Sequence, residues 1–213
     1  MKEGLGRYLL LLVFLLFLVS STSAEWYDSS WDYRKNITFN QSQISCSNED
    51  FPALINITDS DLKNSAQNDG DDILFTTSNG SLKIPHELET YDNSTGRLTA
   101  HVKVLNMTNQ TETSIYMYYG NSEDSNQENA SGVWSNGYEA VYHLDEEKAG
   151  TGNNGVYEDS TSNDNDGDDE VSDSGKEGVI YQGQNFDATD DYIDLGFEYV
   201  VADDTFTIST WFH

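Results

Sequence analysis

The feature that most constrains this chain is hydrophobic alternation with a period of two. In Leu98-Thr99-Ala100-His101-Val102-Lys103-Val104 every second residue is apolar, the pattern of a strand with one face buried and the other in water. The same parity puts Ile115, Met117 and Tyr119 on one face and Tyr116 and Tyr118 on the other. No window of 11 or more residues carries a capped helical stripe, so strands are expected nearly throughout. They are predicted at 33–40, 51–57, 72–77, 82–91, 98–107 and 113–119. Between them stand Asn68-Asp69-Gly70-Asp71, Ser78-Asn79-Gly80-Ser81 and Asp92-Asn93-Ser94-Thr95-Gly96, whose residue types tolerate the left-handed backbone of tight hairpins. Short strands at this spacing predict an all-β fold, an antiparallel, jelly-roll-like β-sandwich over 25–132.

A second pattern follows the polar stretch 121–132. Strands are predicted at 140–145, 178–186, 191–195 and 206–212, with an acidic loop running through Asp173. The sequence stops at Trp211-Phe212-His213 within a predicted strand, where a half-built sheet would leave an unpaired edge. The expectation is a fragment, with 133–213 forming an incomplete second β-sandwich.

Residues 1–24 have the order of a secretion signal: Lys2 and Arg7, an apolar run from Tyr8 to Val19, then Thr22-Ser23-Ala24. The run is well short of the ~20 residues a membrane-spanning helix needs. Cleavage after Ala24 and an extracellular or cell-surface location are expected, with no other membrane span. The chain holds 38 Asp and Glu against 10 Lys and Arg, a net charge of −28. That surface repels nucleic acid, and its self-repulsion suits a high-salt or calcium-rich medium, a halophile-like composition. Aromatic residues at 12% argue against a disordered acidic chain. Cys46 is the only cysteine, so no intrachain disulfide can form. Asn-x-Ser/Thr sequons begin at Asn36, Asn40, Asn56, Asn79, Asn93, Asn106, Asn109 and Asn129, which with the leader suggests a glycoprotein.

Five ordered segments carry a family resemblance: Trp31-Asp32-Tyr33-Arg34-Lys35-Asn36-Ile37-Thr38, Phe51-Pro52-Ala53-Leu54-Ile55, Asp69-Gly70-Asp71-Asp72-Ile73-Leu74-Phe75-Thr76, His86-Glu87-Leu88-Glu89-Thr90-Tyr91 and Ile115-Tyr116-Met117-Tyr118-Tyr119-Gly120-Asn121. In this order they resemble domain-of-unknown-function family 2341, a β-rich module of exported proteins with no assigned role. The later segments Val141-Tyr142-His143-Leu144-Asp145-Glu146, Gln184-Asn185-Phe186-Asp187-Ala188-Thr189-Asp190-Asp191-Tyr192-Ile193 and Phe206-Thr207-Ile208-Ser209-Thr210-Trp211 are similar to the concanavalin A-like, laminin-G-type lectin and glucanase sandwich. That resemblance implies calcium held by aspartates in loops near the sheet, with Asp145, Asp159, Asp187, Asp190 and Asp191 as candidates, since hard oxygens suit the ion. Strand ends and turn caps are the competing reading of the same residues.

The run 162–173 approaches a calcium-loop spacing, but Ser162 opens it and Asp173 closes it where a bidentate Glu is needed. A solvated loop is expected there. Glu87 and Glu89 lie two apart on a predicted strand, roughly 7 Å from each other, near the separation of paired glycosidase carboxylates. The glucanase pattern Glu-x-Asp-x-Glu is not present at this position, so they read as charges on a wet face. His86, His101 and His143 read as single structural histidines without helical zinc spacing. Trp26, Trp31 and Trp134 flank domain edges, where an indole can stack on a sugar ring, but they read first as packing residues with satisfied N–H groups. With no nucleophile elbow or phosphate loop in the sequence, the leading expectation is a non-enzymatic surface binding or adhesion module for glycan or cell-surface polymer, possessing calcium. The competing expectations are the front of a secreted carbohydrate-active enzyme with later catalytic residues, and a passive cell-envelope element.

Overall fold

The computed structural model describes residues 25–146, 150–196 and 205–212. The expected leader, 1–24, lies outside them. Seven strands build the first region: β1 (Tyr33–Phe39), β2 (Asn48–Thr58), β3 (Leu74–Thr77), β4 (Lys83–Ile84), β5 (His86–Asp92), β6 (Arg97–Met107) and β7 (Thr113–Tyr119). They form two antiparallel sheets, ordered β1-β7-β3-β4 and β2-β6-β5. Ile115, Met117, Phe75 and Ile84 of the first sheet meet Ala53, Ile55, Leu98, Ala100, Val102 and Val104 of the second in one buried cluster. Each fully buried large side chain there contributes about 1.5–3 kcal/mol. The sandwich read from alternation is therefore the fold of this region.

Two departures have local causes. The strand expected over 82–91 is two strands, because Pro85 separates β4, which joins the first sheet, from β5, which joins the second. Proline has no N–H for a ladder, and here it marks the crossing between sheets. One-turn helices also occur, α1 (Ser60–Ser65) and α2 (Ala130–Val133). Each starts at a side-chain cap, Asp59 accepting from the Asp61 N–H and Asn129 from the Gly132 N–H. Such turns are too short to leave a helical period in the sequence.

The segment before β1 seals part of the first sheet's outer face. Trp31 packs with Leu74 and Tyr118, and its indole N–H donates to the Asp72 carbonyl at 2.7 Å. The Asp72 carboxylate, fully buried, accepts from the backbone N–H groups of Gln67, Gly120 and Asn121 at 2.9, 2.6 and 2.9 Å.

The later region holds β8 (Gly150–Tyr157), β9 (Gly167–Val171), β10 (Asp173–Glu177), β11 (Gln182–Asn185) and β12 (Tyr192–Asp194). They form a sheet ordered β12-β9-β8 and a β10-β11 hairpin. The acidic run expected as a solvated loop thus supplies strands. In β9 Gly167, Asp169 and Val171 are buried, while Asp168 and Glu170 are partly exposed. Asp169 tolerates burial because its Oδ1 accepts from the Tyr157 hydroxyl and the Val171 N–H. Residues 140–145 and 206–212 are not strands, and Ile208, Trp211 and Phe212 are exposed.

Candidate functional site

The β5–β6 part of the second sheet is covered on both faces, while Leu54 and Asn56 on the outward side of β2 stay exposed. Thr99 and His101 on β6, and Glu87 on β5, point away from the sandwich core yet are buried. The wet face expected from alternation is covered by the chain after β7. Asn129 donates its backbone N–H to the His86 carbonyl at 2.8 Å. Glu128 Oε2 accepts from the Leu88 N–H, a donor on the edge strand, at 2.6 Å. These contacts pin α2 beside β5, and Trp134 at its C-terminus folds over the sheet.

Under that cover Glu87, Glu89, His101 and His143 converge. Glu87 lies opposite His101 in the β5–β6 ladder, and the register slips between Leu88 and Thr90, so Glu89 is the extra residue of a β-bulge. A bulge bends the strand and re-aims its side chains, and Glu89 Oε2 comes to 3.0 Å from His101 Nε2. His143 arrives from the later region with its ring stacked on His101 at 5.2 Å. Its Nδ1 is 3.7 Å from Glu89 Oε2. Its Nε2 is 3.1 Å from Glu87 Oε2, an ion-pair distance that lacks the direction of a good hydrogen bond. Glu87 is held in turn by the Trp134 indole N–H on Oε2 and the Ser160 hydroxyl on Oε1, both at 2.6 Å.

Charge follows from that geometry. Burial alone would raise the Glu87 carboxyl pKa, but His143, Ser160 and Trp134 outweigh it and hold it below the ordinary range. Burial alone would lower the His143 imidazole, but Glu87, Glu89 and Asp145 outweigh it and hold it above. Asp145, half-buried, is pushed up by burial in spite of His143. The wet-face reading of Glu87 and Glu89 is overturned, since Glu89's side chain is 3% exposed. The reading of His101 and His143 as isolated residues falls with it. His86 does stand apart, packed edge-on against Phe75 at 5.2 Å, with burial holding its pKa down to about 4.

Ligand atoms of Glu89, His101 and His143 lie within 4.8 Å of one another, as do those of Asp187, Asp190 and Asp191. The second group comprises three of the five expected calcium ligands. Its carboxylates also shape their own turn: Asp187 Oδ1 accepts from the Thr189 N–H at 2.7 Å, and Asp191 Oδ2 from the Asp187 N–H at 2.8 Å. Asp159 is committed elsewhere. It accepts from the N–H groups of Val141, Thr161 and Asn165 and from the Thr161 hydroxyl, which stitches the 138–146 segment to the loop after β8. Asp145 lies near His143 rather than with the Asp187 group.

The first sheet offers a different surface. Arg34 lies between the Trp26 and Tyr116 rings, 4.6 and 4.4 Å from their centroids. Cross-strand register sets Arg34, Asn36 and Thr38 of β1 on one face with Ser114, Tyr116 and Tyr118 of β7, followed by Leu74 and Thr76 of β3 and Lys83 of β4. No strand residue of that face is a carboxylate. Among the tryptophans, Trp31 and Trp134 are buried with bonded N–H groups, as expected, whereas Trp26 remains 38% exposed. Cys46 is an exposed free thiol. Seven of the sequon asparagines are exposed, and Asn93 is partly so. Among the described residues, no helix is long and apolar enough to cross a membrane.

The family model described as Domain of unknown function (DUF2341) matches residues 69–160. This stretch begins before β3, ends at Ser160, and contains Glu87, Glu89, His101, Trp134 and His143. No curated protein and no solved structure matches the chain.

Proposed function

We propose that this chain is an exported binding or adhesion module whose first β-sandwich recognises a glycan or cell-surface polymer, followed by a lectin-type region. The observation that supports it is the outer face of the β1-β7-β3-β4 sheet. On a chain with 38 acidic residues, the accessible part of this face holds Arg34, Lys83, Tyr116, Asn36 and Thr38 and no strand carboxylate. Aromatic faces stack on the apolar faces of sugar rings, and short polar side chains bond their hydroxyls without imposing charge repulsion. Tyr116 and Trp26, with the guanidinium between them, form the stacking element.

Polysaccharides of neutral and anionic type, immobilised and probed with the chain and with Tyr116→Ala and Trp26→Ala, test the reading. Loss of roughly tenfold or more in affinity with either variant is expected, the size of one lost stacking contact. Equal retention of all three proteins, or of none, refutes it. Calcium belongs to the same proposal, at Asp187, Asp190 and Asp191, whose oxygens suit the ion. Calorimetric heat that is unchanged in Asp190→Asn/Asp191→Asn would remove calcium from it.

A further inference from the structure

We infer that Glu89, His101 and His143 form a site for a divalent transition-metal ion, with zinc the best fit, clamped between the β-bulge of the second sheet and the segment that covers it. The donor set is two imidazoles and one carboxylate, a combination found in zinc sites with an open fourth position. The three groups come from three separated stretches of chain, yet their ligand atoms lie within 4.8 Å of one another. Glu89 Oε2 is the common point, 3.0 Å from His101 Nε2 and 3.7 Å from His143 Nδ1. Without metal, a proton shared between His101 Nε2 and Glu89 Oε2 makes that contact attractive, and a divalent cation would take the proton's place. A tetrahedral zinc, with Zn–N and Zn–O bonds of about 2.0–2.2 Å, requires ligand separations of this order.

A second feature points the same way. Metal-bound histidines usually present their other nitrogen to a carboxylate, which fixes the ring and strengthens the ligand. Glu87 stands beside that nitrogen, its Oε2 at an ion-pair distance of 3.1 Å from His143 Nε2 although not aligned as a hydrogen bond. Glu87 is itself immobilised by Trp134 and Ser160, and Trp134 also leans on the His101 ring at 5.0 Å. First ligands, an outer carboxylate and the groups that orient it are thus all supplied by the fold. Soft thiolate is missing from the set, which disfavours copper(I), and the imidazoles disfavour calcium and magnesium.

The zinc site does not depend on the glycan reading, and its ligands are separate from Trp26, Tyr116 and the Asp187 group. The full chain, stripped with a chelator and dialysed into buffered high salt, is titrated with Zn2+ by calorimetry and with Co2+ by visible absorption. One Zn2+ per chain is expected, together with the intense visible bands of low-coordinate cobalt bound through imidazole. Glu87→Gln should weaken zinc about 10–100-fold, as loss of an outer carboxylate does, while Asp190→Asn/Asp191→Asn should leave it unchanged. His101→Gln should abolish the cobalt bands. No saturable zinc binding by the unmodified chain overturns the inference, whether or not any variant folds. So does binding that survives His101→Gln intact or disappears with the Asp190 and Asp191 changes.

Discussion

Replacing Glu87 by Gln probes how the later region is fastened to the sandwich. The substitution keeps shape and removes one charge from a pair whose side chains are 11% and 16% exposed. At 3.1 Å and an effective dielectric near 20, the attraction is about 5 kcal/mol. Desolvation of both groups opposes it, so the net cost of breaking the pair is about 3 kcal/mol, the lower end for buried pairs. Its pH dependence follows from the two pKa directions. Glu87 is held below its ordinary 4.5, so its contribution is full above that value and lost as pH falls through the folded pKa. His143 is held above its ordinary 6.5, so its contribution is full below that value and lost as pH rises through the folded pKa. Both are complete between about 4.5 and 6.5. Denaturant unfolding with chelator present should therefore place Glu87→Gln about 3 kcal/mol below the unmodified chain at pH 5.5, with a clearly smaller gap at pH 9. A gap equal at both pH values, or none at pH 5.5, would refute the assigned pairing.

Three further outcomes are expected. Asp72→Ala leaves the N–H groups of Gln67, Gly120 and Asn121 without their acceptor and should cost at least about 3 kcal/mol in denaturant unfolding. Gly96→Ala should lower the thermal midpoint, because Gly96 has φ +77° and an added Cβ would collide with the Asp59 carbonyl; strain in that region is about 1–2 kcal/mol before the collision is counted. With a net charge of −28, the thermal midpoint should rise steadily from 0.1 M to 2 M NaCl as screening relieves self-repulsion, and a flat or falling profile would show that surface repulsion does not limit stability.

The sandwich was legible because alternation in stretches such as 98–104 is dictated by the core that both sheets share. Pro85 could have been read as the crossing between sheets, since it interrupts an otherwise continuous pattern. The outer face of the second sheet could not. Thr99, His101, Glu87 and Glu89 are polar and so read as wet, but Glu87 and Glu89 meet Trp134, His143 and Ser160 from the later chain, and His101 pairs with Glu89. Spacing rules for helical ligands also fail in a sheet, where His101 and Glu87 are neighbours by register and Glu89 joins them through a bulge. The Asp187 group, by contrast, is local in sequence, and of the five aspartates that the concanavalin A-like resemblance implies, these three have carboxylate oxygens within 4.8 Å of one another. Strand β9 escaped notice because acidic residues conceal a buried set of Gly167, Asp169 and Val171, and β8 because its sequence is mostly Gly and Asn.

The Asp72 clasp has a mechanical meaning. Tyr33 pairs with Tyr119 in the β1–β7 ladder, so the chain enters and leaves the first sandwich at the same end of neighbouring antiparallel strands. Tension applied across that domain would peel the ladder rung by rung from the Tyr33–Tyr119 end, rather than load all its hydrogen bonds in shear. Asp72 sits at the point where peeling would start: its carbonyl holds Trp31, just before β1, and its carboxylate holds Gly120 and Asn121, just after β7. One buried aspartate thus ties the incoming and outgoing chain to the start of β3, so peeling from that end must break its contacts.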